Sequence, residues 1–403
     1  MTAISRPAPV LFTGARVVTE HRVIVDGWAL VGEGRIVAVG EPGVVPPLDL
    51  VGLDPSAGLD VSPGLAVDVR GRYLMPGFVD LHVHGGGTAT FDEGADAIGI
   101  AVSTHRAHGT TRTLLSLITN SVPGMRESIS AAAGAAQRDP AIVGLHLEGP
   151  FLSPSHRGAH DPTKLLVPDA AVVDSLLDAG GGAVRVVTLA PELPGGLDLV
   201  RRLVGMDVHA AVGHTDAGYD DALAAFDAGA DLVTHAFNAM RPLHHRDPGV
   251  IAAAMDAGVV LETINDGVHL HDATVRLLHR VAPHRLAFVT DAMAAAGAAD
   301  GRYRLGPLEV EVSGGTARLV EGGTIAGSTL TMDVALRRGV LDVGMDVVDA
   351  VAAASVVPAR WLGRDAEFGS IEVGRAADLV VMDEDLVTVA VMAGGCWVDD
   401  RRP

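Results

Sequence analysis

The chain has 403 residues, 48% hydrophobic and 20% charged, enough to bury a large core. Fifty acidic residues against 30 basic ones give a net charge of −20, which excludes the positive face that nucleic acid requires, and aromatics at 3% are too sparse to stack bases. No 18-residue apolar run predicts a membrane span, Pro7, Pro9 and Gly14 interrupt anything like a secretory signal, and the single cysteine, Cys396, excludes an intrachain disulfide and a thiolate metal site. A reduced, cytoplasmic setting is the expectation. Lys164 is the one lysine and lies in no phosphate-binding or Schiff-base motif. Seventeen histidines are the unusual feature of the composition.

Residues 10 to about 75 read as short strands: 15–18, 28–31 and 35–39 are β-prone, with a turn at 32–34. Residues 42–63, rich in Pro and Gly, read as a surface loop. From Tyr73 the rhythm changes. Apolar or β-branched runs at 78–83, 111–119, 142–147, 185–189, 208–212, 232–235, 259–264 and 286–290 alternate with Ala-rich segments such as 96–108, 170–179, 220–228 and 271–281. Eight strands with intervening helices predict an α/β fold, a (β/α)8 TIM barrel. A doubly wound open sheet shares that grammar and is the alternative. Residues 301–326 read as an inserted hairpin, and helical segments follow near 332–343 and 347–362. The tail, 369–398, returns to short strands. The expected organisation is a small β-sandwich domain formed by both chain termini, residues 1–75 and 363–403, around a barrel at 76–362.

His82 and His84 stand at the end of the first predicted barrel strand, in Asp80-Leu81-His82-Val83-His84. Side chains i and i+2 of a strand face the same way, so both imidazoles can reach one ion. Glu148 ends strand three, His214 follows strand five, His235 ends strand six, and Asp291 follows strand eight. In a barrel these ends meet at one rim, where active sites are built. Imidazole and carboxylate donors suit zinc or a similar divalent ion. Six groups exceed the needs of one tetrahedral ion, and Glu148 is the natural bridge between two. The alternative is that some of them are rim hydrogen-bonders. His146 shares the face of Glu148 but would lie deeper, as a buried supporting group outside the ligand set.

These residues resemble the amidohydrolase superfamily and, within it, the branch that deacetylates N-acetylglucosamine 6-phosphate. The resemblance runs through Pro76-Gly77-Phe78-Val79-Asp80-Leu81-His82-Val83-His84-Gly85, His146-Leu147-Glu148-Gly149-Pro150 and Gly158-Ala159-His160. It continues through Gly213-His214-Thr215, His235-Ala236-Phe237-Asn238-Ala239-Met240, Asn265-Asp266-Gly267-Val268-His269, Thr290-Asp291-Ala292 and Ala326-Gly327-Ser328. Ser155-His156-Arg157 departs from it, since relatives often carry lysines there. The resemblance implies hydrolysis of the acetamide of that sugar phosphate to glucosamine 6-phosphate and acetate, in amino-sugar catabolism and cell-wall recycling. It implies a primary metal site of Glu148, His214 and His235, and a second at His82 and His84. It implies Asp291 as catalytic carboxylate and His160 beside the scissile amide. Ala159, His160, Asn238, Ala239, Arg246, His269 and the Ile325-Ala326-Gly327 stretch would contact substrate. One or two divalent ions per chain are implied, zinc foremost, with Fe, Co, Mn or Cd as alternatives, and so is a homodimer whose neighbouring subunit helps close the site.

Elementary chemistry agrees with that reading. Amide hydrolysis needs an activated water, a polarised carbonyl and a proton for the leaving amine; Asp291 can move the proton and His160 can donate to the oxyanion. Arg246 offers a planar fork to phosphate, or is a solvated arginine beside Asp247. Asn238 can donate to the sugar phosphate or simply cap its own loop. Two rival functions remain at this level: another amidohydrolase reaction, and a non-catalytic sugar-phosphate sensor.

Overall fold

The computed structural model describes residues 7–52, 65–306 and 308–403. Part of the loop expected at 42–63 thus lies outside the described residues; its first part contains a 3-10 turn at Leu48–Val51. The chain divides into two compact units. One comprises residues 1–79, 106–111 and 336–403, the other residues 80–105 and 112–335. Among the described residues no helix is long and apolar enough to cross a membrane.

Strands from both termini build one eight-stranded sheet in the first unit. Its order is Arg35–Gly40, Val23–Gly32, Val10–Val18, Tyr73–Pro76, Leu379–Met382, Thr388–Ala393 and Cys396–Trp397, with Ala66–Asp68 also on Val10–Val18. Alternation along these strands buries Phe12, Val17, Val31, Leu74, Leu379, Val381 and Met392 in one apolar cluster. Residues 336–362, expected with the barrel, cluster with this unit instead. Ser355 Oγ donates to Gly77 O at 3.1 Å, and Arg360 pairs with Glu20 at 2.7 Å. The expected helix at 347–362 is α-helical at Val347–Val351 and Val357–Trp361, with a π turn at Ala352–Val356 between them. Pro358 has no N–H to continue the ladder, which accounts for the irregularity.

The second sheet is the barrel. Its strands, Phe78–Asp80, Thr110–Ile118, Ile142–Glu148, Val184–Leu189, His209–Val212, Leu232–Val233, Val260–Ile264 and Leu286–Val289, pair in parallel in chain order. The doubly wound alternative is excluded by that order and by the seam. Val83 bridges in parallel to Ala292, and Asp291 N–H donates to His82 O at 2.7 Å. Asp80, fully buried, ties the same seam by accepting Thr290 Oγ1 at 2.6 Å and Thr290 N–H at 3.2 Å. The strands are apolar on both faces because helices cover the outside. The helix Ala170–Gly180 shows how: Asp169 caps its N-terminus by accepting Val172 N–H at 3.0 Å, and Val173, Leu176, Leu177 and Gly180 form its buried stripe. The inserted hairpin is a three-stranded antiparallel sheet, Gly301–Leu305, Leu308–Ser313 and Thr316–Leu319. The chain after it returns to the rim at Ile325 and Gly327.

Candidate metal centre

Each candidate ligand sits at the C-terminal edge of a barrel strand or just past it. Glu148 is the last residue of strand three. His82 lies two residues past strand one, and His214, His235 and Asp291 lie two residues past strands five, six and eight. Those last three have φ of 47°, 29° and 47°. Non-glycine residues rarely enter this left-handed region, and such strain collects at functional sites. It turns each side chain out of the strand's alternation and into the barrel mouth.

Four imidazoles converge there. His82 and His84 Nε2 lie 3.1 Å apart, and His214 and His235 Nε2 lie 3.0 Å apart. Glu148 joins the two pairs: Oε1 is 3.0 Å from His214 and 3.2 Å from His235, and Oε2 is 3.2 Å from His84. Asp291 Oδ1 lies 3.2 Å from His84 Nε2 and 3.5 Å from His82 Nε2. His160 Nε2 is 3.4 Å from Glu148 Oε2.

The hydrogen bonds behind the rings decide which nitrogens carry lone pairs. His84 Nδ1–H donates to Ser116 O at 3.1 Å, and His214 Nδ1–H donates to His156 O at 2.9 Å. Carbonyls only accept, so the Nε2 of each neutral ring is the free donor. His82 Nδ1 faces the Glu262 carboxylate at 3.0 Å, with the same result. With both rings neutral, the two Nε2 lone pairs would face one another across 3.1 Å, an arrangement that a proton or a metal cation relieves. The donor set therefore fits a divalent metal, and His82, His84 and Glu148 together with Glu148, His160 and His214 form two groups that could hold one.

The electrostatics favour a cation. Burial opposes ionisation of Glu148, but His82, His160 and His214 outweigh it and hold the carboxyl well below its usual range. Burial likewise opposes ionisation of Asp291, and His82 and His84 hold it far below the ordinary carboxylate value. Burial pulls His84 down, yet Asp291 and Glu148 push it up to about 9. His160 goes the other way: burial brings it to about 4, so its ring is neutral near pH 7. His146 lies below the rim, as its place in strand three predicts. Its nitrogens meet Ser116 Oγ at 2.9 Å and Thr188 Oγ1 at 2.8 Å, and burial and His82 hold it neutral.

A cavity of about 390 Å³ opens over these groups. His84, Glu148, Ala159, His160, His214, His235, Asn238, Ala239, His269, Asp291, Ile325 and Gly327 line it. Ala326 does not; it packs into an apolar cluster with Leu305 and Met293. Arg246 also lies apart. It is exposed and Nη1 donates to His245 Nε2 at 2.7 Å, while Asp247 is paired with Arg241 instead. Asn238 Nδ2 donates to His235 O and Ala236 O at 3.3 and 3.2 Å, the loop-capping alternative. The residue that sequence reasoning missed is Glu262. Its signal was a lone charge inside the apolar run of strand seven, Val260–Ile264, which is buried from Leu261 onward.

A parallel barrel with imidazole and carboxylate donors gathered at one rim defines a (β/α)8 protein with a site able to hold divalent metal. The chain belongs to the amidohydrolase family, which matches residues 73–398, and is a hydrolytic enzyme of that family. It is similar to an N-acetylgalactosamine-6-phosphate deacetylase of Escherichia coli O157:H7, 37% identical over 82% of this chain and 89% of that one. It is also similar to an N-acetylglucosamine-6-phosphate deacetylase of Bos taurus, 36% identical over 83% and 86%. Among solved structures it resembles a variant of N-acetyl-D-glucosamine-6-phosphate deacetylase from Mycobacterium smegmatis in complex with N-acetyl-D-glucosamine-6-phosphate. That match has a TM-score of 0.89 and 41% identity over 97% of this chain and 99% of that one.

Proposed function

We propose that this chain hydrolyses the acetamide of N-acetylglucosamine 6-phosphate to glucosamine 6-phosphate and acetate. The observation that carries the reading is the convergence of His82, His84, His214 and His235 Nε2 on Glu148 beside Asp291, in a chain similar to deacetylases of amino-sugar phosphates. Glu148, His214 and His235 are the primary ligands, His82 and His84 hold a second ion, and Asp291 stands beside that pair. Zinc is the preferred metal, with Fe, Co, Mn or Cd as alternatives. Such an ion, when bound, polarises the amide carbonyl and lowers the pKa of a water to about 7.

The chain's own groups do the rest. Asp291, held ionised, accepts the proton of the attacking water and hands it to the leaving amine. Neutral His160 donates to the oxygen on which charge develops. Ala159, Ile325 and Gly327 form the wall around the sugar. Asn238, the Ala239 N–H and His269 take the phosphate. Burial pulls His269 down, but Asp266, 2.6 Å from its Nδ1, raises it above its ordinary value and so favours the cation. Arg246 joins the phosphate through movement of its exposed loop or from a second copy in a homodimer. The setting is the cytoplasm, in amino-sugar catabolism and cell-wall recycling.

The similarity to the Escherichia coli relative favours a second reading, N-acetylgalactosamine 6-phosphate, the C4 epimer, as substrate. Acetate release from the two phosphorylated sugars and from unphosphorylated N-acetylglucosamine, with metal content per chain measured alongside, tests both. Faster turnover of the galactosamine epimer would replace the first reading. No turnover of any of them in metal-loaded protein would remove both.

A further inference from the structure

Glu262 belongs to none of the roles above, yet it touches both halves of the cluster. It is fully buried on strand seven. Its Oε2 lies 3.0 Å from His82 Nδ1 and accepts the His235 backbone N–H at 3.1 Å. Its Oε1 is buried with no partner. An oxygen that already accepts a backbone N–H can accept the imidazole N–H as well, so the His82 proton is placed on Nδ1. Burying a carboxylate with one oxygen unpaired is costly, and an apolar residue would suit the strand better. Packing alone does not account for Glu262.

We propose that Glu262 is a positioning residue that holds His82 as an Nε2 donor and thereby sets the affinity for the ion at His82 and His84. This rests on the metal site proposed above. A carboxylate behind a ligating imidazole fixes the ring and raises its basicity, and its loss commonly weakens metal binding by about 10- to 100-fold. The His235 contact acts on backbone, so the ion at Glu148, His214 and His235 is affected less.

The test is an equilibrium titration of chelated, metal-free full-length protein with Co²⁺, followed by its absorption spectrum and by ions bound per chain. Glu262→Leu should weaken the His82/His84 ion about 10- to 100-fold and leave the other within a few-fold. Glu262→Gln, which keeps an acceptor at the same reach, should recover most of the loss. In a His82→Ala background Glu262→Leu should have no further effect, because the pair acts as a unit. If Glu262→Leu does not fold, Glu262→Asp serves: it keeps the charge but stops roughly 1.5 Å short of Nδ1, and the same selective weakening is expected. Ion affinities unchanged in Glu262→Leu or Glu262→Asp, both ions weakened equally, or a loss that persists without His82 would overturn the proposal. Wild-type protein that binds no ion would instead overturn the metal site itself.

Discussion

The two halves of the cluster reach the same geometry by different means. On the strand-one side, His82 and His84 are neighbours in sequence, and their rings are held from behind by Glu262 and the Ser116 carbonyl. On the strand-five and strand-six side, His214 and His235 come from separate strands and are aimed by left-handed backbone, with His235 Nδ1 buried and unpartnered. Main-chain carbonyls hold His84 and His214 alike, and the side chain behind a ring is Glu262 at His82, so a side-chain substitution behind the rings should matter more to the first half. Glu148 reaches ring Nε2 atoms of both halves, whereas Glu262 meets the second only through the His235 backbone N–H.

The largest expected effect comes from Asp291, which stands against His82 and His84. Asp291→Asn keeps the shape but cannot take a proton, and kcat should fall about 10²- to 10⁴-fold with substrate binding retained. A mutant that keeps more than about a tenth of the rate would assign the base elsewhere. Next in size, Glu148→Gln should lower the occupancy of both ions, whereas His82→Ala with His84→Ala should remove only one. Elemental analysis decides this, and a metal-free double mutant beside a fully loaded Glu148→Gln would invert the two halves.

The phosphate contacts proposed for Arg246 and His269 lie on the loops that follow strands six and seven. Arg246→Ala should reduce kcat/KM for the phosphorylated sugar by about 10- to 150-fold, the loss of one charge-assisted contact of ~1.5–3 kcal/mol, and leave the unphosphorylated sugar nearly unchanged. Equal losses on both sugars would make it the solvated arginine that its exposure suggests. The smallest effect concerns pH. Asp266 raises His269 above 6.5, so its cation persists to higher pH than a free imidazole, and the stability it contributes, present below the unfolded pKa, is lost as pH rises through the raised one. KM for the phosphorylated sugar should rise about fivefold over that upper interval, the difference between a charged and a neutral contact of about 1 kcal/mol. Asp266→Asn should move the rise to lower pH. A KM profile that ignores Asp266→Asn would take His269 off the phosphate.

The residues by themselves determined the barrel and most of the rim. Strand–helix alternation is a local signal, and His82, His84, Glu148, His214, His235 and Asp291 were legible because each closes or follows an apolar run. His146 was legible as a supporting group because a period of two put it on the face of Glu148 but deeper. The tertiary structure decided what depends on distance through space. Which imidazole nitrogen is free follows from a carbonyl 32 residues away for His84 and 58 away for His214. The partner of His82 is 180 residues off. Whether Arg246 faces the cavity depends on how an exposed loop lies, and no periodicity specifies that. The left-handed turns at His214, His235 and Asp291 were invisible too, since a histidine or aspartate in sequence gives no sign of positive φ. They exist because the closed sheet over-determines the backbone at its rim and holds it in a conformation that short-range preferences would reject.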